Sequence, residues 1–326
     1  MVSVIVPIYN AGKYISATID SLLAQTYQEY ELILVNNNST DDSRLICESY
    51  LERYPNVSLI DENKQGVAAA RNAGINNARG EYIIFVDADD IPEDNYIKVL
   101  VDEMNKGYDM VVSGYKVYRN DEFLYEVSVD EERHFDAENY LVSIFDNDTV
   151  DYQGFIWDKM FRADIIKNRN IRFAEDVHYN EDRLFVTQYV SNAQKICYIT
   201  NSPYRYIIRD DSATGSSEDH YVREIEFDEL KAFDLILKSL HDYPKAYSFA
   251  RKNMAEAEIR LFRRMLSKKD VFRYRKSVFR KFAKRFDELK YEPKTEMEGI
   301  LIKKLSLYSK LGITYSSVDV TEEIYK

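Results

Sequence analysis

The sequence predicts an α/β protein with a mostly parallel central sheet flanked by helices, and a helical extension toward the C-terminal end. Short apolar runs rich in β-branched residues alternate with stretches of helical periodicity in the first third of the chain. A polar or turn-forming loop follows each of these runs. This alternation is typical of βαβ units, whose parallel strands end at one edge of the sheet, where ligands bind.

Four strands are predicted in order: "VSVIVPI" at 2–8, "YELILV" at 30–35, "VSLI" at 57–60 and "EYIIFV" at 81–86. The first run is apolar almost throughout, as expected of a strand that is buried on both faces. Crossovers between parallel strands are almost always right-handed, so the loops after the first, second and fourth strands should meet at one edge.

Three helices are predicted between these strands. Asn10 is a candidate N-cap for the first helix, because short polar side chains accept hydrogen bonds from free N–H groups. Ser39 or Thr40 has the same role for the second helix. Gly66 opens the third helix, which is rich in alanine, and Gly80 ends it.

The next hundred or so residues show a mixed pattern. "DMVVSGYKVYR", "KICYI" and "YRYII" predict strands, whereas "WDKMFRADIIKN" and "EDRLFVTQYV" predict short helices. After about residue 218 the helical period dominates, so the boundary with the helical extension is expected there.

The composition favours a folded protein without membrane-spanning segments. Apolar residues make up 45% of the chain, and no run of about 18 apolar residues occurs. Cys47 and Cys197 have no spacing suited to a metal or a disulfide framework, which fits a reducing compartment. The opening residues lead directly into a predicted strand, so we expect no signal peptide. We therefore expect a cytoplasmic location, with peripheral contact at the inner face of the cell membrane as an option.

Charge is unevenly distributed along the chain. The net charge is −12, yet residues 251–285 contain 14 Lys/Arg and 3 Asp/Glu. Basic helices with an apolar face suit an anionic membrane surface or an anionic polymer acceptor. The alternative is a helical subdomain whose apolar stripe packs on the catalytic domain or on a second copy of the chain. Nucleic acid is not an expected partner, because the rest of the chain is acidic and carries no nucleic-acid motif.

Three carboxylates follow the fourth predicted strand: Asp87, Asp89 and Asp90 in "FVDADD". Carboxylate oxygens are the ligands that Mg²⁺ and Mn²⁺ prefer, and Mg²⁺ is commonly shared between one or two carboxylates and substrate phosphates. Two alternatives stay open on these residues alone. One is a solvated loop, and the other, for Asp90, is the approach to a helix with Pro92 near its first turn.

These motifs occur together in an order that resembles the family 2 glycosyltransferases with the GT-A fold. The likeness rests on the opening "VSVIVPIYNAGKY", the A-R-N-x-G helix, D-A-D-D and a downstream E-D. It implies a GT-A catalytic domain at 1–217, with a nucleotide-sugar half at about 1–115 and an acceptor half at about 116–217. A helical region at 218–326 follows.

The resemblance implies a divalent metal, Mn²⁺ or Mg²⁺, at the D-A-D-D sequence. Asp89 matches the carboxylate that holds the ion bridging the diphosphate of a nucleotide sugar. Asp87 matches its partner near the ribose and the metal, and Ala88 lies between the two. Such an ion acts as a Lewis acid by withdrawing charge from the departing nucleoside diphosphate.

The first loop and the third helix supply further donor contacts by resemblance. Pro7, Tyr9 and Asn10 lie where the family contacts the base and ribose, and Tyr9 offers a face that stacks on a pyrimidine. Arg71 resembles a residue near the nucleotide and its phosphates. The alternatives are an ordinary strand-end aromatic for Tyr9 and, for Arg71, a charge pair that fixes the loop at 87–90.

The loop after the second strand departs from the family pattern, in which a carboxylate accepts a hydrogen bond from the uracil imide. Asn37 stands at that position, and Ser39 and Asp41 are the other candidate donor-binding residues of this loop. An amide oxygen can accept the same bond, but its nitrogen can also donate. Uridine is therefore favoured, and the alternative is that the asparagines only shape a turn.

A second pair of carboxylates, Glu181 and Asp182, begins the helix predicted in "EDRLFVTQYV". By resemblance Asp182 is the general base that takes the proton from the acceptor hydroxyl, and Glu181 supports it. The alternative is that both only favour the helix N-terminus through its dipole. Trp157 is a candidate wall for the acceptor sugar, or a core residue beneath it. Arg209 resembles part of the late loop that closes over the diphosphate.

The sequence thus predicts a metal-dependent inverting glycosyltransferase that moves a sugar from a nucleotide donor, with UDP favoured, to a cell-surface polysaccharide or lipid-linked glycan. Two alternatives remain open. A catalytically degenerate carbohydrate-binding or partner subunit would suit the asparagines of "NNNST". A sugar-phosphate nucleotidyltransferase is the other, but such proteins typically begin with a glycine-rich loop that "PIYNAGKY" does not supply.

Overall fold

The computed structural model describes residues 1–119, 121–146, 154–209, 225–267, 282–286, 288, 293 and 295–311. The chain divides into two compact units, Met1–Gly215 and Ser216–Lys326. The first unit holds every strand of the described residues, whereas the described part of the second unit is helical.

The strands and helices of the first unit alternate at its start, as the sequence predicts. The strands are β1 (Val2–Ile8), β2 (Tyr30–Asn36), β3 (Val57–Asp61), β4 (Tyr82–Phe85), β5 (Met110–Val112), β6 (Tyr115–Arg119), β7 (Glu122–Val127), β8 (Arg133–Phe135), β9 (Lys159–Arg162), β10 (Ile196–Tyr198) and β11 (Tyr204–Ile208). The helices are α1 (Ile15–Leu23), α2 (Ser43–Leu51), α3 (Val67–Asn77), α4 (Tyr96–Met104), α5 (Ala137–Phe145), α6 (Ala163–Asn168) and α7 (Glu181–Val190).

The central sheet has eight strands in the order β3-β2-β1-β4-β9-β5-β10-β8. Strands β1 to β4 are mutually parallel, with Val4 of β1 opposite Leu32 on one side and Ile84 on the other. A separate three-stranded sheet has the order β11-β6-β7. The prediction of an α/β fold with a mostly parallel sheet is confirmed, and the carboxyl ends of β1, β2 and β4 lie together.

Tight packing of α3 on β1 explains the glycine in the A-R-N-x-G sequence. All seven residues of β1 are buried. A Cβ at Gly74 would fall 2.3 Å from Cγ2 of Ile5, which is closer than side-chain carbons approach. Only a glycine therefore lets this helix come so near the strand.

The predicted caps of α1 and α2 are wrong. Helix α1 begins after Tyr14, and α2 begins after Asp42, with no side-chain cap bond in either case. Asn10 has a left-handed backbone conformation, with φ of 50°, and its side-chain oxygen accepts from the backbone N–H of Thr40 at 2.8 Å. Ser39 Oγ accepts from the backbone N–H of Asn10 at 3.1 Å. These polar groups therefore tie the two loops together rather than capping helices.

The helix predicted in "WDKMFRADIIKN" is only half correct. Its first part is strand β9, which lies antiparallel between β4 and β5, and only Ala163–Asn168 is helical. Met160 and Phe161 of β9 are fully buried, so neighbouring strands override the local helical preference of this segment. The helix predicted in "EDRLFVTQYV" is present as α7, with the predicted bounds.

The second unit contains α8 (Ile225–Ser239), α9 (Pro244–Ser267) and a helix named α10 (Glu296–Leu311), with α9 packed against the other two. Much of the apolar stripe of the basic segment is buried there, including Phe262, Met265 and Phe282. Residues 268–281 of that segment lie outside the described residues. Within the part of the chain that the structure describes, no helix is long and apolar enough to cross a membrane.

Part of the basic charge is neutralised within the second unit. Arg285 lies 2.8 Å from the fully buried Glu258, and Arg260 lies 2.9 Å from Glu229. These ion pairs leave less unpaired positive charge in the described part of residues 251–285 than the sequence alone suggests.

Candidate active site

A cavity of about 560 Å³ opens at the carboxyl ends of the parallel strands. Eight residues singled out from the sequence line it: Pro7, Tyr9, Asn10, Asn37, Asp87, Ala88, Asp89 and Arg209. The ring of Tyr9 is 56% exposed, so it is free to stack on a planar ligand. The edge predicted from the strand pattern is therefore where the chain forms a cavity.

Other lining residues were missed from the sequence, among them Tyr14, Gln65 and Val67. Gln65 and Val67 flank Gly66 at the end of the loop after β3, which reaches the same edge as the other loops. Extending the parallel-strand argument to that loop would have included them. Tyr14 lies beneath the guanidinium of Arg209, 3.7 Å from ring centroid to Cζ, and no local signal marks that contact.

Ser39 and Asp41 support the first loop instead of lining the cavity. Asp41 Oδ2 accepts from the backbone N–H of Gly12 at 2.9 Å. A Cβ at Gly12 would lie only 2.9 Å from that oxygen, so the loop approaches the carboxylate as closely as a glycine allows. Ser43 Oγ accepts from the backbone N–H of Ala11. The β1–α1 loop is thus held in place by side chains that follow β2.

Asn37 is buried, and its side-chain amide has a fixed orientation. Its Nδ2 donates to the backbone oxygens of Glu62 at 2.9 Å and Lys64 at 2.7 Å. Its Oδ1 accepts from the backbone N–H of Gly66 at 2.8 Å. Flipping the amide would place oxygen against two carbonyls, so both N–H groups are committed and only an acceptor lone pair remains for a ligand.

Asp87 and Asp89 face the cavity with side chains that are 30% and 38% exposed. Burial raises the pKa of both carboxyls. For Asp89 the charge of Asp87 raises the pKa further, and Arg209 opposes it. Two carboxylates that line an open cavity fit a hard divalent cation, whose charge would offset their mutual repulsion.

Asp90 has a different role, and the expectation that it approaches the next helix is wrong. It is buried, and it accepts hydrogen bonds from the hydroxyl of Tyr204 and the backbone N–H of Ile207, each at 2.8 Å. Helix α4 begins only at Tyr96. Burial is the main cause that raises the pKa of Asp90 well above its usual range, and the charges of Asp87 and Asp89 raise it further. Asp90 therefore joins the end of β4 to β11.

The second carboxylate pair lies against Arg71. Arg71 Nη1 lies 2.6 Å from Asp182 Oδ1 and 3.2 Å from Glu181 Oε1, and Nη2 lies 3.5 Å from Asp87 Oδ1. Burial is the main cause that raises the pKa of Asp182 to about 8; Arg71 lowers it, and the charge of Glu181 raises it again. A carboxylate with a raised pKa is a stronger base than usual.

Trp157 lies in the core rather than on a sugar-facing wall. It is 4% exposed, and its ring stacks on Tyr204 and on Phe155, with centroids 4.7 and 4.8 Å apart. Its backbone oxygen accepts from the hydroxyl of Tyr96 at 2.7 Å. This geometry matches the core-packing alternative for Trp157.

One further group of potential metal ligands occurs among the described residues. Ligand atoms of Glu103, Glu132 and Cys197 lie within 4.8 Å of one another. Lys106 Nζ lies 2.6 Å from Glu103 Oε1, so an ammonium already pairs with one of the two carboxylates. The group lies near the end of α4 and β10, and its members do not line the cavity.

Comparison with known proteins shows the family of the chain. The family model described as "Glycosyl transferase family 2" matches residues 3–163. Glycosyltransferase GlyG of Streptococcus pneumoniae is 32% identical over 249 residues, which cover 74% of this chain and 82% of that protein. The chain belongs to glycosyl transferase family 2.

A second relative agrees with this assignment, and a solved structure has the same fold. Glycosyltransferase GlyA of Streptococcus pneumoniae is 30% identical over 218 residues, but the match spans only 30% of that protein's length. The structure of S. aureus TarS 1–349 in complex with UDP-GlcNAc has a TM-score of 0.72 at 22% identity, covering 98% of this chain and 94% of that one. The GT-A fold expected of this family member is thereby confirmed.

Proposed function

We propose that the chain transfers a sugar from a nucleoside diphosphate sugar to an acceptor hydroxyl, with inversion at the anomeric carbon. The observation that carries this proposal is that one buried guanidinium joins a carboxylate of the cavity lining to a second carboxylate pair, Glu181 and Asp182, which lies outside that lining. Asp87 and Asp89 line the cavity on the side of the base-binding loops, and Asp182 is joined to Asp87 through a single guanidinium, that of Arg71. Sugar transfer needs these two groups of acids, one for the departing diphosphate and one for the proton.

A uridine donor is the best match to the loop after β2. The side chain of Asn37 offers an acceptor and no N–H to a ligand in the cavity, because both of its hydrogens bind backbone oxygens. Uracil carries an N–H at ring position 3, whereas cytosine presents a lone pair there, so of these two pyrimidines Asn37 favours uracil. TarS, a protein of the same fold, was determined with UDP-GlcNAc, which supports the same choice of donor.

Asp89 and Asp87 are the residues that would hold Mn²⁺ or Mg²⁺. When bound, such an ion supplies Lewis-acid stabilisation to the diphosphate that leaves. Arg209 lies beside Asp89, with Nε 3.4 Å from Oδ2. Its positive charge at the cavity lining suits the same diphosphate.

Asp182 is the proposed general base. Its side chain is 23% exposed, and its Oδ1 binds Arg71 Nη1. It accepts the proton of the acceptor hydroxyl as that oxygen attacks the anomeric carbon from the face opposite the diphosphate. Direct displacement of this kind inverts the anomeric configuration, and Glu181 supports Asp182 through their shared contact with Arg71.

The acceptor proposed is a cell-surface polysaccharide or a lipid-linked glycan, as the family resemblance implies. The first unit would act as the catalytic domain, with a donor half and an acceptor half. The helical region would provide a contact with a second copy of the chain or with the membrane surface, at the cytoplasmic side.

A donor panel tests the proposal. Purified protein is incubated with UDP-sugars and GDP-sugars, with Mn²⁺, with Mg²⁺ or with a chelator, and nucleoside diphosphate release is measured. The proposal predicts metal-dependent release of UDP. Absence of metal-dependent UDP binding, with no donor turned over, would instead support the catalytically degenerate subunit. Pyrophosphate release from a sugar phosphate and a nucleoside triphosphate would support a nucleotidyltransferase.

A further inference from the structure

Helix α3 carries two consecutive polar side chains, Arg71 and Asn72, that are almost completely buried. They are 4% and 7% exposed. Their side-chain hydrogen bonds go to the segment 173–182, more than one hundred residues further along the chain, and Arg71 also approaches Asp87. The helix of the donor half therefore contacts the acceptor half directly.

Asn72 holds the backbone of the segment that leads into α7. Its Nδ2 donates to the backbone oxygen of Phe173 at 3.0 Å, and its Oδ1 accepts from the backbone N–H of the same residue at 2.9 Å. Nδ2 also donates to Glu175 Oε1 at 3.0 Å. No helix or strand forms between α6 and α7, so this segment depends on such side-chain contacts for its position.

Arg71 approaches one carboxylate of the donor cavity, with Nη2 3.5 Å from Asp87 Oδ1. It does not line that cavity, although the preceding Ala70 does. Its guanidinium lies over the ring of Phe173, 5.2 Å from the centroid. The same guanidinium binds Asp182 Oδ1 at 2.6 Å. Its fixed position therefore depends on the segment that Asn72 holds.

We propose that Arg71 is a positioning residue for Asp182. It binds one oxygen of the Asp182 carboxylate and leaves the other for the acceptor hydroxyl, while Asn72 holds the segment that carries Asp182 in register with α3. The inference rests on the proposed function, in which Asp182 is the base. It gives Arg71 a role that is neither contact with the nucleotide nor fixation of the loop at 87–90 alone.

If Arg71 positions Asp182, substituting Arg71 should lower the rate of transfer but not the affinity for the donor. A displacement of about 1 Å of a catalytic group can lower the rate roughly a hundredfold. The donor cavity is lined by other residues, so its affinity for UDP should change little. If Arg71 instead bound the nucleotide, its substitution would weaken UDP binding as well as lower the rate.

The kinetic test compares R71M, R71K and the control R162M. Arg162 forms an exposed pair with Asp164 away from the cavity. For R71M we expect kcat to fall about a hundredfold while the Kd for UDP with Mn²⁺, from calorimetry, stays within about threefold. R71K, which keeps the charge, should recover part of kcat, and R162M should match the wild type. An unchanged kcat in R71M, or a loss of UDP affinity equal to the loss of kcat, would overturn the proposal.

Hydrogen exchange gives a second readout that does not need turnover. We expect backbone amides of residues 173–182 to exchange faster in R71M and in N72A than in the wild type. N77A is the matched control, because Asn77 is exposed and binds only within its own helix. Wild-type protein that turns over no donor would defeat the proposed function, whereas unchanged exchange in both R71M and N72A would defeat the positioning role.

Discussion

Arg71 Nη1 lies 2.6 Å from Asp182 Oδ1, although the two residues are 111 positions apart in the sequence. Arg71 is almost completely buried on α3, and Asp182 lies in the first turn of α7. Through this ion pair, the helix that follows the donor loops touches the proposed base. Because Nη2 of the same guanidinium approaches Asp87, one buried cation connects the two carboxylate sets of the site.

The raised pKa of Asp182 predicts a dependence of transfer on pH. Burial raises this pKa to about 8, and a base must be deprotonated to accept a proton. Below that pKa, kcat/KM should therefore rise about tenfold for each pH unit, and it should level off above it. The measurement is kcat/KM against pH, with UDP affinity measured across the same range as the control. A rate that falls with rising pH would contradict the assignment.

Substitutions at Asp89 and Asp90 should separate metal binding from structure. D89N removes a charged ligand at the cavity, so we expect the Mn²⁺-dependent part of UDP affinity to fall at least about tenfold. D90N is the matched control. An amide there can still accept from the backbone N–H of Ile207 and donate to the hydroxyl of Tyr204, so Mn²⁺-dependent binding should persist within about threefold. Calorimetry with UDP, with and without Mn²⁺, measures the affinity of both variants. Equal losses in D89N and D90N would refute the assignment of metal binding to Asp89 and of a structural role to Asp90.

N37D should weaken the donor loops even though the family commonly has a carboxylate at this position. The new oxygen would face the backbone oxygens of Glu62 and Lys64, which now accept from the Asn37 amide. Losing both bonds should lower the free energy of unfolding by about 1–3 kcal/mol and reduce UDP affinity. N38D is the control, because Asn38 is exposed and its amide donates to one backbone oxygen, that of Asn63. Denaturant titration and UDP calorimetry measure the two effects.

If N37D matched the wild type in both stability and UDP affinity, the amide orientation described here would be incorrect. A loss of stability without any loss of affinity would place Asn37 in the scaffold alone.

G74A should destabilise the catalytic unit. The added methyl group would lie 2.3 Å from Cγ2 of the fully buried Ile5, so α3 must move or Ile5 must leave its rotamer. Overpacking of this kind typically costs about 1–3 kcal/mol. Thermal unfolding provides the measurement, and N77A on the exposed face of the same helix should not lower Tm. A Tm equal to that of the wild type in G74A would show that α3 packs less tightly.

The sequence predicts well those features that depend on local periodicity and on general rules of parallel sheets. Periodicity and these rules suffice to predict three features: the strands β1 to β4, the edge where their loops meet, and the helix α7. The insertion of β9 does not, because Met160 and Phe161 are in a strand only by virtue of β4 and β5 on either side.

The polar side chains of the site are predicted less well, because their partners are distant in sequence. Asn10 and Ser39 have the residue types of helix caps, yet they bond to each other's loops. The family resemblance predicts that Arg71 lies near the nucleotide. Its contacts with Glu181 and Asp182 are seen only in the structure.

The most direct test of the account compares the wild type with D182N, with UDP release and acceptor glycosylation measured in the presence of Mn²⁺. The wild type should transfer sugar from a UDP donor. D182N should lose about a thousandfold in kcat, the usual scale of general-base catalysis, while its UDP affinity and Tm remain close to those of the wild type. Transfer by folded D182N at the wild-type rate would contradict the central claim that Asp182 takes the acceptor proton.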